Sequence, residues 1–129
     1  MKISRVSMYV ADLDAMCDFY AKHFDGRLGT PHLGQAPTTP VMHCHVHFEG
    51  GTVLDLMYCE ELPHDPDSSM RMGIIQFSFS AGSIEAVNAK VEELRAAGCR
   101  VYVEPRHTVS GRYAAVVCDP ESNMVEITE

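Results

Sequence analysis

Three histidines occupy alternate positions, a spacing that could bring their imidazoles together at one site: His43, His45 and His47. Side chains two residues apart on a β-strand point to the same face of the sheet, so a strand here would place the three imidazoles side by side. A His-x-His pair on a strand can bind zinc or iron. The alternative is a polar strand face on which one or two of these histidines pack at a subunit interface.

The face that these histidines occupy depends on the turn that follows them. Their strand leads into Glu49-Gly50-Gly51 and returns as a second strand, a pattern typical of a hairpin. A three-residue turn would put His45 opposite Asp55, whereas a two-residue turn would put His45 opposite Leu56, on the side of the helices. The sequence leaves both registers open.

A second group of polar side chains lies in the segment 104–113, which the sequence predicts to be a loop. Four of its side chains could hold an acidic or polar ligand group: Arg106, His107, Arg112 and Tyr113. The alternative is a solvated, mobile loop that binds nothing.

The composition predicts one globular domain over residues 1–129, with 46% hydrophobic and 22% charged residues. Ten Lys plus Arg against 18 Asp plus Glu give a net charge of −8, which argues against nucleic acid as a partner and against an anionic membrane surface. No apolar run approaches the ~18 residues that a membrane span requires. We therefore expect neither nucleic acid nor a membrane surface as a partner.

Five cysteines are spread along the chain, and none forms a CxxC pair. An odd number without paired spacing predicts neither a disulfide framework nor a structural zinc ribbon. The first residues show no signal-peptide pattern. We expect reduced thiols in a cytoplasmic protein.

An internal repeat relates the two halves of the sequence. When the chain is compared with itself at an offset of 71 residues, segment 10–16 aligns with 81–87 and segment 54–56 aligns with 125–127. Because the match occurs near the beginning and near the end of each half, it predicts two copies of one unit. A polar linker that contains two prolines joins them. The first unit, the linker and the second unit span residues 1–60, 61–70 and 71–129.

The two units share one pattern of elements. In the first, residues 3–10 alternate as in a strand, Asp12 can cap a helix, and Gly26 suits the left-handed position after its last turn. Ser83 and Gly98 take the cap and stop positions of the second helix. Three strands are predicted after each helix, so each unit is β-α-β-β-β, and the fold class is α+β with the helices on the outer face.

The sequence resembles the vicinal oxygen chelate superfamily, which includes lactoylglutathione lyase, the bleomycin-resistance proteins and the extradiol dioxygenases. The likeness begins with the run SRVSMYVADLDAM at 4–16 and with Phe19-Tyr20. It continues in GTVLDLM at 51–57 and in DPESNMVEI at 119–127, and it spans essentially the whole chain. The resemblance implies that the two units form an open, curled mixed sheet around a cavity.

In this superfamily the cavity is commonly lined by four metal ligands, one from the first strand and one from the last strand of each unit. By position these fall on Arg5, Asp55, Gln76 and Glu126. The resemblance implies that Asp55, Gln76 and Glu126 hold one divalent ion (Mg, Mn, Ni or Zn). Their donors are all oxygens, which favours Mg or Mn, and none of the four positions is the histidine that an iron dioxygenase would need.

Arg5 departs from the superfamily pattern, because a guanidinium has no lone pair for a metal. Arg5 could take the place of the cation beside Asp55 and Glu126, or anchor an anionic ligand through a bidentate contact. The alternative is that Arg5 turns to solvent while three ligands and water hold the metal.

The resemblance implies a lyase or isomerase that acts on a small molecule in the cavity, where a metal holds two adjacent substrate oxygens and stabilises an enediolate. Glu126 would then be the base, with Asp55 as its partner, and the loop before the last hairpin often closes over the ligand in this superfamily. The expected substrate-binding residues are Arg5, His107, Arg112 and Tyr113. The alternative is a ligand-sequestering protein of the bleomycin-resistance type. Either protein is expected to be a homodimer.

Overall fold

Each half of the sequence forms one sheet with one helix in the computed structural model, which describes residues 2–34, 39–62 and 73–129. The chain divides into the units Met1–Asp65 and Pro66–Glu129. Most of the predicted linker, residues 63–70, lies outside the described residues.

The first unit is a mixed sheet covered by one helix. Its elements are β1 (Arg5–Tyr9), α1 (Leu13–His23), β2 (Arg27–Leu28), β3 (His32–Gly34), β4 (Val41–His47) and β5 (Val53–Tyr58). The strand order is β1-β5-β4-β2, and β3 also pairs with β4. β1 runs parallel to β5, whereas the other pairs are antiparallel.

The second unit repeats this arrangement. Its elements are β6 (Gln76–Ser80), α2 (Ile84–Ala96), β7 (Val101–His107), β8 (Tyr113–Cys118) and β9 (Met124–Thr128). The strand order is β6-β9-β8-β7, with β6 parallel to β9. Both predicted helix caps are confirmed, because Asp12 accepts from the Ala15 amide at 3.0 Å and Ser83 accepts from the Ala86 amide at 3.1 Å.

The predicted α+β class of two tandem units with open mixed sheets is confirmed. The number of strands after the first helix was wrong, since the first unit has four there. Two short strands, β2 and β3, stand between α1 and the hairpin where one strand was predicted, and both pair with β4.

Alternation along the strands gives the first sheet two different faces. Leu54 and Leu56 of β5 and Val46 of β4 are buried on the side that packs against α1. The intervening residues lie on the other face, where Asp55 and His45 sit opposite each other. The helix side therefore carries the apolar core, and the open side carries the polar candidates.

The turn after α1 differs from its prediction. The residue with a left-handed backbone is Asp25, at φ 55°, not Gly26. Aspartate tolerates this conformation better than most residues. Gly26 is needed for space instead, because a Cβ there would collide with the Val46 side chain and lie 2.9 Å from the Tyr20 carbonyl oxygen.

Gly26→Ala is expected to lower the free energy of unfolding by about 2 kcal/mol, because Val46 and the Tyr20 carbonyl are both fixed in the core. Urea unfolding followed by circular dichroism measures the change. Gly29→Ala is the matched control, since a Cβ there meets nothing closer than 3.4 Å. Equal stability of the two variants would contradict this account of Gly26.

The predicted loop 104–113 was too long. β7 extends through His107, and the turn to β8 is tight, with the Thr108 amide bonded to the Arg112 carbonyl at 2.7 Å. The pairing of β7 with β8 is irregular after Val101 and after Val103. These irregularities hide the alternation that would have marked residues 104–107 as strand.

All five cysteines are free, as predicted. Burial raises the pKa of the Cys17, Cys99 and Cys118 thiols, which keeps them protonated and poorly nucleophilic. Among the described residues, neither helix is long and apolar enough to cross a membrane.

Candidate functional site

The hairpin of β4 and β5 adopts the register that brings the histidines to Asp55. The turn consists of Glu49–Gly51, and the Phe48 amide donates to the Thr52 carbonyl at 3.0 Å. His45 therefore pairs with Asp55, and Leu56 pairs with Cys44 on the helix side. Of the two registers that the sequence left open, the three-residue turn is the one observed.

Asp55 is the centre of a cluster formed by three strands. It is only 3% exposed, although it lies on the open face of the sheet. Its carboxylate is 3.0 and 3.2 Å from His43 Nδ1 and 3.5 Å from His45 Nε2. Ser7 of β1 pairs with Asp55 and donates its hydroxyl to Oδ2 at 3.3 Å. The carboxylate thus collects three polar partners at one point.

His43, His45 and Asp55 fit the requirements of a divalent metal. One ligand atom from each residue lies within 4.8 Å of the other two. A buried carboxylate needs a compensating positive charge, and a cation between the three donors would supply it. Two imidazoles and one carboxylate suit Zn, Ni or Fe(II) better than Mg. The donor set therefore differs from the all-oxygen set expected from the resemblance, and it shares only Asp55 with that set.

Two residues of β3 fix the position of the His43 ring. His32 pairs with His43 and stacks on it, with ring centroids 5.5 Å apart, and it also meets His45 edge-on at 5.1 Å. His32 Nδ1 lies 3.3 Å from the Thr30 carbonyl oxygen and donates to it, which holds the His32 ring in place. On the other side, a Cβ at Gly34 would collide with the His43 imidazole.

Gly34→Ala is expected to weaken metal binding about 10- to 100-fold, because the added methyl group displaces the His43 ring while the fold is kept. Competition with a chromogenic zinc chelator measures the affinity. Gly29→Ala, whose Cβ makes only ordinary contacts, should bind the metal as the unchanged protein does. Unchanged affinity in Gly34→Ala would show that His43 is not a ligand.

The protonation of His45 also favours coordination. Burial lowers the pKa of His45 below its ordinary value of 6.5. The charges of Arg5, His32 and His47 act in the same direction, and Asp55 opposes them. A lowered pKa leaves His45 neutral at pH 7, which is the form that donates a lone pair to a metal.

His43 and His45 of this cluster line a pocket of about 390 Å³ in the first unit. Besides His43 and His45, the residues that line it are Arg5, Tyr9, His32, Gly34, Val41 and Met57. Arg5 lies on the same face of β1 as Ser7, at the level of Val53. Its guanidinium forms no ion pair with any of the described residues.

The second unit carries an equivalent of the Ser7–Asp55 pair. Ser78 of β6 pairs with Glu126 of β9, and its hydroxyl donates to the Glu126 carboxylate. Glu126 lines a pocket of about 440 Å³ together with Arg106 and His107. The rest of that lining is mostly apolar: Val103, Thr108, Val109, Ala114, Ala115 and Val116.

The other predicted site residues of the second unit do not line the pocket that contains Glu126. Gln76 is at the start of β6, opposite Met124, and Arg112 lies in the exposed turn before β8. The Tyr113 hydroxyl donates to Asn88 of α2 at 3.0 Å, and its ring packs on His107. The second unit thus brings Glu126 and His107 to one pocket, and Gln76, Arg112 and Tyr113 are not among the residues that line it.

Sequence reasoning missed Ser7, His32 and Gly34. A signal for Ser7 was present, because the 71-residue offset aligns Ser7 with Ser78. No comparable signal marks His32 or Gly34, since the three-residue strand β3 is too short to show a period.

Comparison with known proteins supports the fold. A family model described as Glyoxalase/Bleomycin resistance protein/Dioxygenase superfamily matches residues 2–127. No curated protein gives a significant match. Among solved structures, a glyoxylase/bleomycin resistance protein/dioxygenase domain from Frankia sp. EAN1pec has a TM-score of 0.84 and 23% identity, covering 99% of this chain and 96% of that chain.

Two further structures carry more specific names. Lactoylglutathione lyase from Agrobacterium tumefaciens has a TM-score of 0.70 and 22% identity, with 99% of this chain and 92% of that chain covered. A glyoxalase I mutant from Zea mays has a TM-score of 0.77 and 19% identity, and this chain spans 44% of its length with 98% of its own residues. At these identities the likeness shows the fold alone.

Proposed function

Because the chain belongs to the glyoxalase/bleomycin resistance protein/dioxygenase superfamily, we propose that it is a metal-dependent enzyme that binds a small molecule through two neighbouring oxygens. The observation that supports this most directly is the convergence of His43, His45 and Asp55, of which the two histidines line a pocket. The proposed reaction is a lyase- or isomerase-type proton transfer.

The proposed metal ligands are His43, His45 and Asp55. A bound divalent metal would act as a Lewis acid toward two adjacent substrate oxygens and would stabilise the negative charge that develops on them. Asp55 would neutralise part of the metal charge, and Ser7 holds the Asp55 carboxylate in place. His32 and Gly34 keep the His43 ring in position.

Glu126 is the proposed base, a role that rests on the family resemblance. Its carboxylate is half-buried at the edge of a mostly apolar pocket and accepts the Ser78 hydroxyl. A carboxylate held in this way can take a proton from a carbon and return it to the neighbouring atom. His107 and Arg106 share this pocket and are proposed substrate contacts. Gln76 as a neutral ligand belongs to the alternative donor set, Asp55, Gln76 and Glu126, that the family resemblance implies. Arg112 and Tyr113 remain proposed substrate residues.

A second reaction is favoured by the donor set itself. Two histidines and one carboxylate on one side of a metal, with open positions opposite, are typical of Fe(II) enzymes that react with dioxygen. No histidine occupies the four positions at which the superfamily commonly has its ligands, but His43 and His45 beside Asp55 would supply the two imidazoles that such a site needs.

One experiment separates the candidate functions. The probe is S-lactoylglutathione, which has a carbonyl and a hydroxyl oxygen on adjacent carbons, and a lactoylglutathione lyase is among the similar structures. Proton NMR in D₂O would follow the hydrogen on the carbon that carries the hydroxyl group. This hydrogen should exchange with deuterium when Zn-loaded protein is added, and it should not exchange after the metal is chelated. Oxygen uptake by the Fe(II)-loaded protein with catechol would favour the second reaction instead.

Saturable binding without exchange or oxygen uptake would favour the ligand-sequestering protein. A homodimer is proposed in each case, and sedimentation velocity would measure the oligomeric state directly.

A further inference from the structure

Arg5 gives the first pocket a positive charge that no described acidic side chain pairs with. It lines the pocket together with the two histidine ligands, and within the described part of the chain it makes no ion pair. Within the described strands of the first unit, Asp55 is the one carboxylate, and it is occupied by Ser7, His43 and His45. The guanidinium therefore has its donors available to a ligand.

The charge of the pocket wall selects the kind of ligand. With a divalent ion bound, Asp55 cancels one of its two charges and Arg5 adds another, so this wall is cationic on a chain whose net charge is −8. An anionic group entering the pocket would be attracted to it. A guanidinium binds carboxylate or phosphate through two parallel hydrogen bonds, which a metal-bound water or a neutral group cannot replace.

Arg5 and the two histidine ligands are two binding points on one pocket. Arg5 is level with Val53 in the strand register, two residues before the Ser7–Asp55 pair, and it lines the pocket together with His43 and His45. A ligand group that takes both parallel hydrogen bonds of the guanidinium is a separate group from the two oxygens that face the metal. The ligand then carries two polar groups, one for each binding point.

We infer that the substrate is an organic acid with a second anionic group, a carboxylate or a phosphate, which Arg5 binds while two neighbouring oxygens face the His43–His45–Asp55 metal. This inference rests on the proposed function for the metal, and it adds the substrate class. It assigns Arg5 to substrate binding, in preference to the replacement of a cation.

Two matched ligand pairs test the inference by isothermal titration calorimetry on Zn-loaded protein. 2-Oxoglutarate and 2-oxopentanoate differ in a distal carboxylate, and 3-phosphoglycerate and glycerate differ in a distal phosphate. The unchanged protein should bind the member with the distal anion at least ~10-fold more tightly in one pair or both. The pair that responds identifies the anion.

Arg5→Gln should lose this preference while keeping the metal and its affinity for the ligand without the distal anion. Arg5→Lys should keep part of the preference, because it retains the charge without the bidentate geometry. Arg27→Gln, which changes an exposed arginine of β2, should behave as the unchanged protein. No preference in the unchanged protein, or a preference retained in Arg5→Gln, would overturn the inference.

Elemental analysis before the titrations distinguishes this inference from the proposed function. If the protein takes up no metal, the proposed function fails, and the same ligand pairs are titrated with metal-free protein. A preference that depends on Arg5 would then establish the anion site without the metal, whereas equal affinities would overturn the inference as well.

Discussion

Asp55→Ala and His45→Ala are each expected to reduce the bound divalent metal from about one ion per chain to a trace, with at least ~100-fold weaker affinity. Each variant removes one of three donors, and Asp55→Ala also removes the only negative charge of the set. Elemental analysis of tag-free protein after dialysis measures the content. Removal of any histidine tag is essential, since it would bind the same ions.

His47→Gln is the matched control for this prediction. His47 lies on the same face of β4, two residues beyond His45, but it is outside the group whose ligand atoms converge. The His47→Gln variant should therefore bind as much metal as the unchanged protein. Metal retained in both Asp55→Ala and His45→Ala would contradict the proposed centre. If the unchanged protein binds no manganese, nickel or zinc at all, the sequestering function and the cation-replacing role of Arg5 regain support.

Glu126→Gln is expected to slow hydrogen exchange of S-lactoylglutathione by about 10²- to 10⁴-fold while the metal content stays the same. An amide keeps the size of the side chain and its hydrogen bond with Ser78, but it cannot accept a proton at neutral pH. Proton NMR in D₂O gives the exchange rate, and elemental analysis of the same sample gives the metal content.

Glu104→Gln is the control for Glu126, because Glu104 is an exposed carboxylate of β7 that pairs with Arg95. Its exchange rate should equal that of the unchanged protein. An undiminished rate in Glu126→Gln would mean that another group moves the proton. His32 would then be the next residue to test, since its imidazole lines the first pocket.

The sequence predicted the parts of the fold that depend on repetition and on local caps. The 71-residue offset relates β1 to β6 and α1 to α2 at their first residues, and Asp12 and Ser83 begin the two helices as expected. These features are local, since a side-chain cap or an alternating strand is fixed by a few neighbouring residues. They can therefore be predicted without knowing how the rest of the chain packs.

The site was harder to predict, because it depends on how the strands are paired. Gly50 and Gly51 both have positive φ, and two adjacent glycines are compatible with turns of different length. A shift by one residue would have turned His45 to the opposite face from Asp55. The pairing of Phe48 with Thr52 sets the register, and the residue types in the turn do not predict that pairing.

The paired Ser7–Asp55 and Ser78–Glu126 contacts have a consequence for how such a protein can diversify. An ancestral unit that was duplicated would supply two equivalent carboxylates, each already held by a serine on the neighbouring parallel strand. One copy could then recruit histidines from its adjacent strand while the other kept a carboxylate without them. In this chain the first half has His43 and His45 beside its carboxylate, whereas the second has Ala114 and Val116 at the neighbouring strand positions of β8. Internal redundancy of this kind allows one half to change its chemistry without first losing the ancestral one.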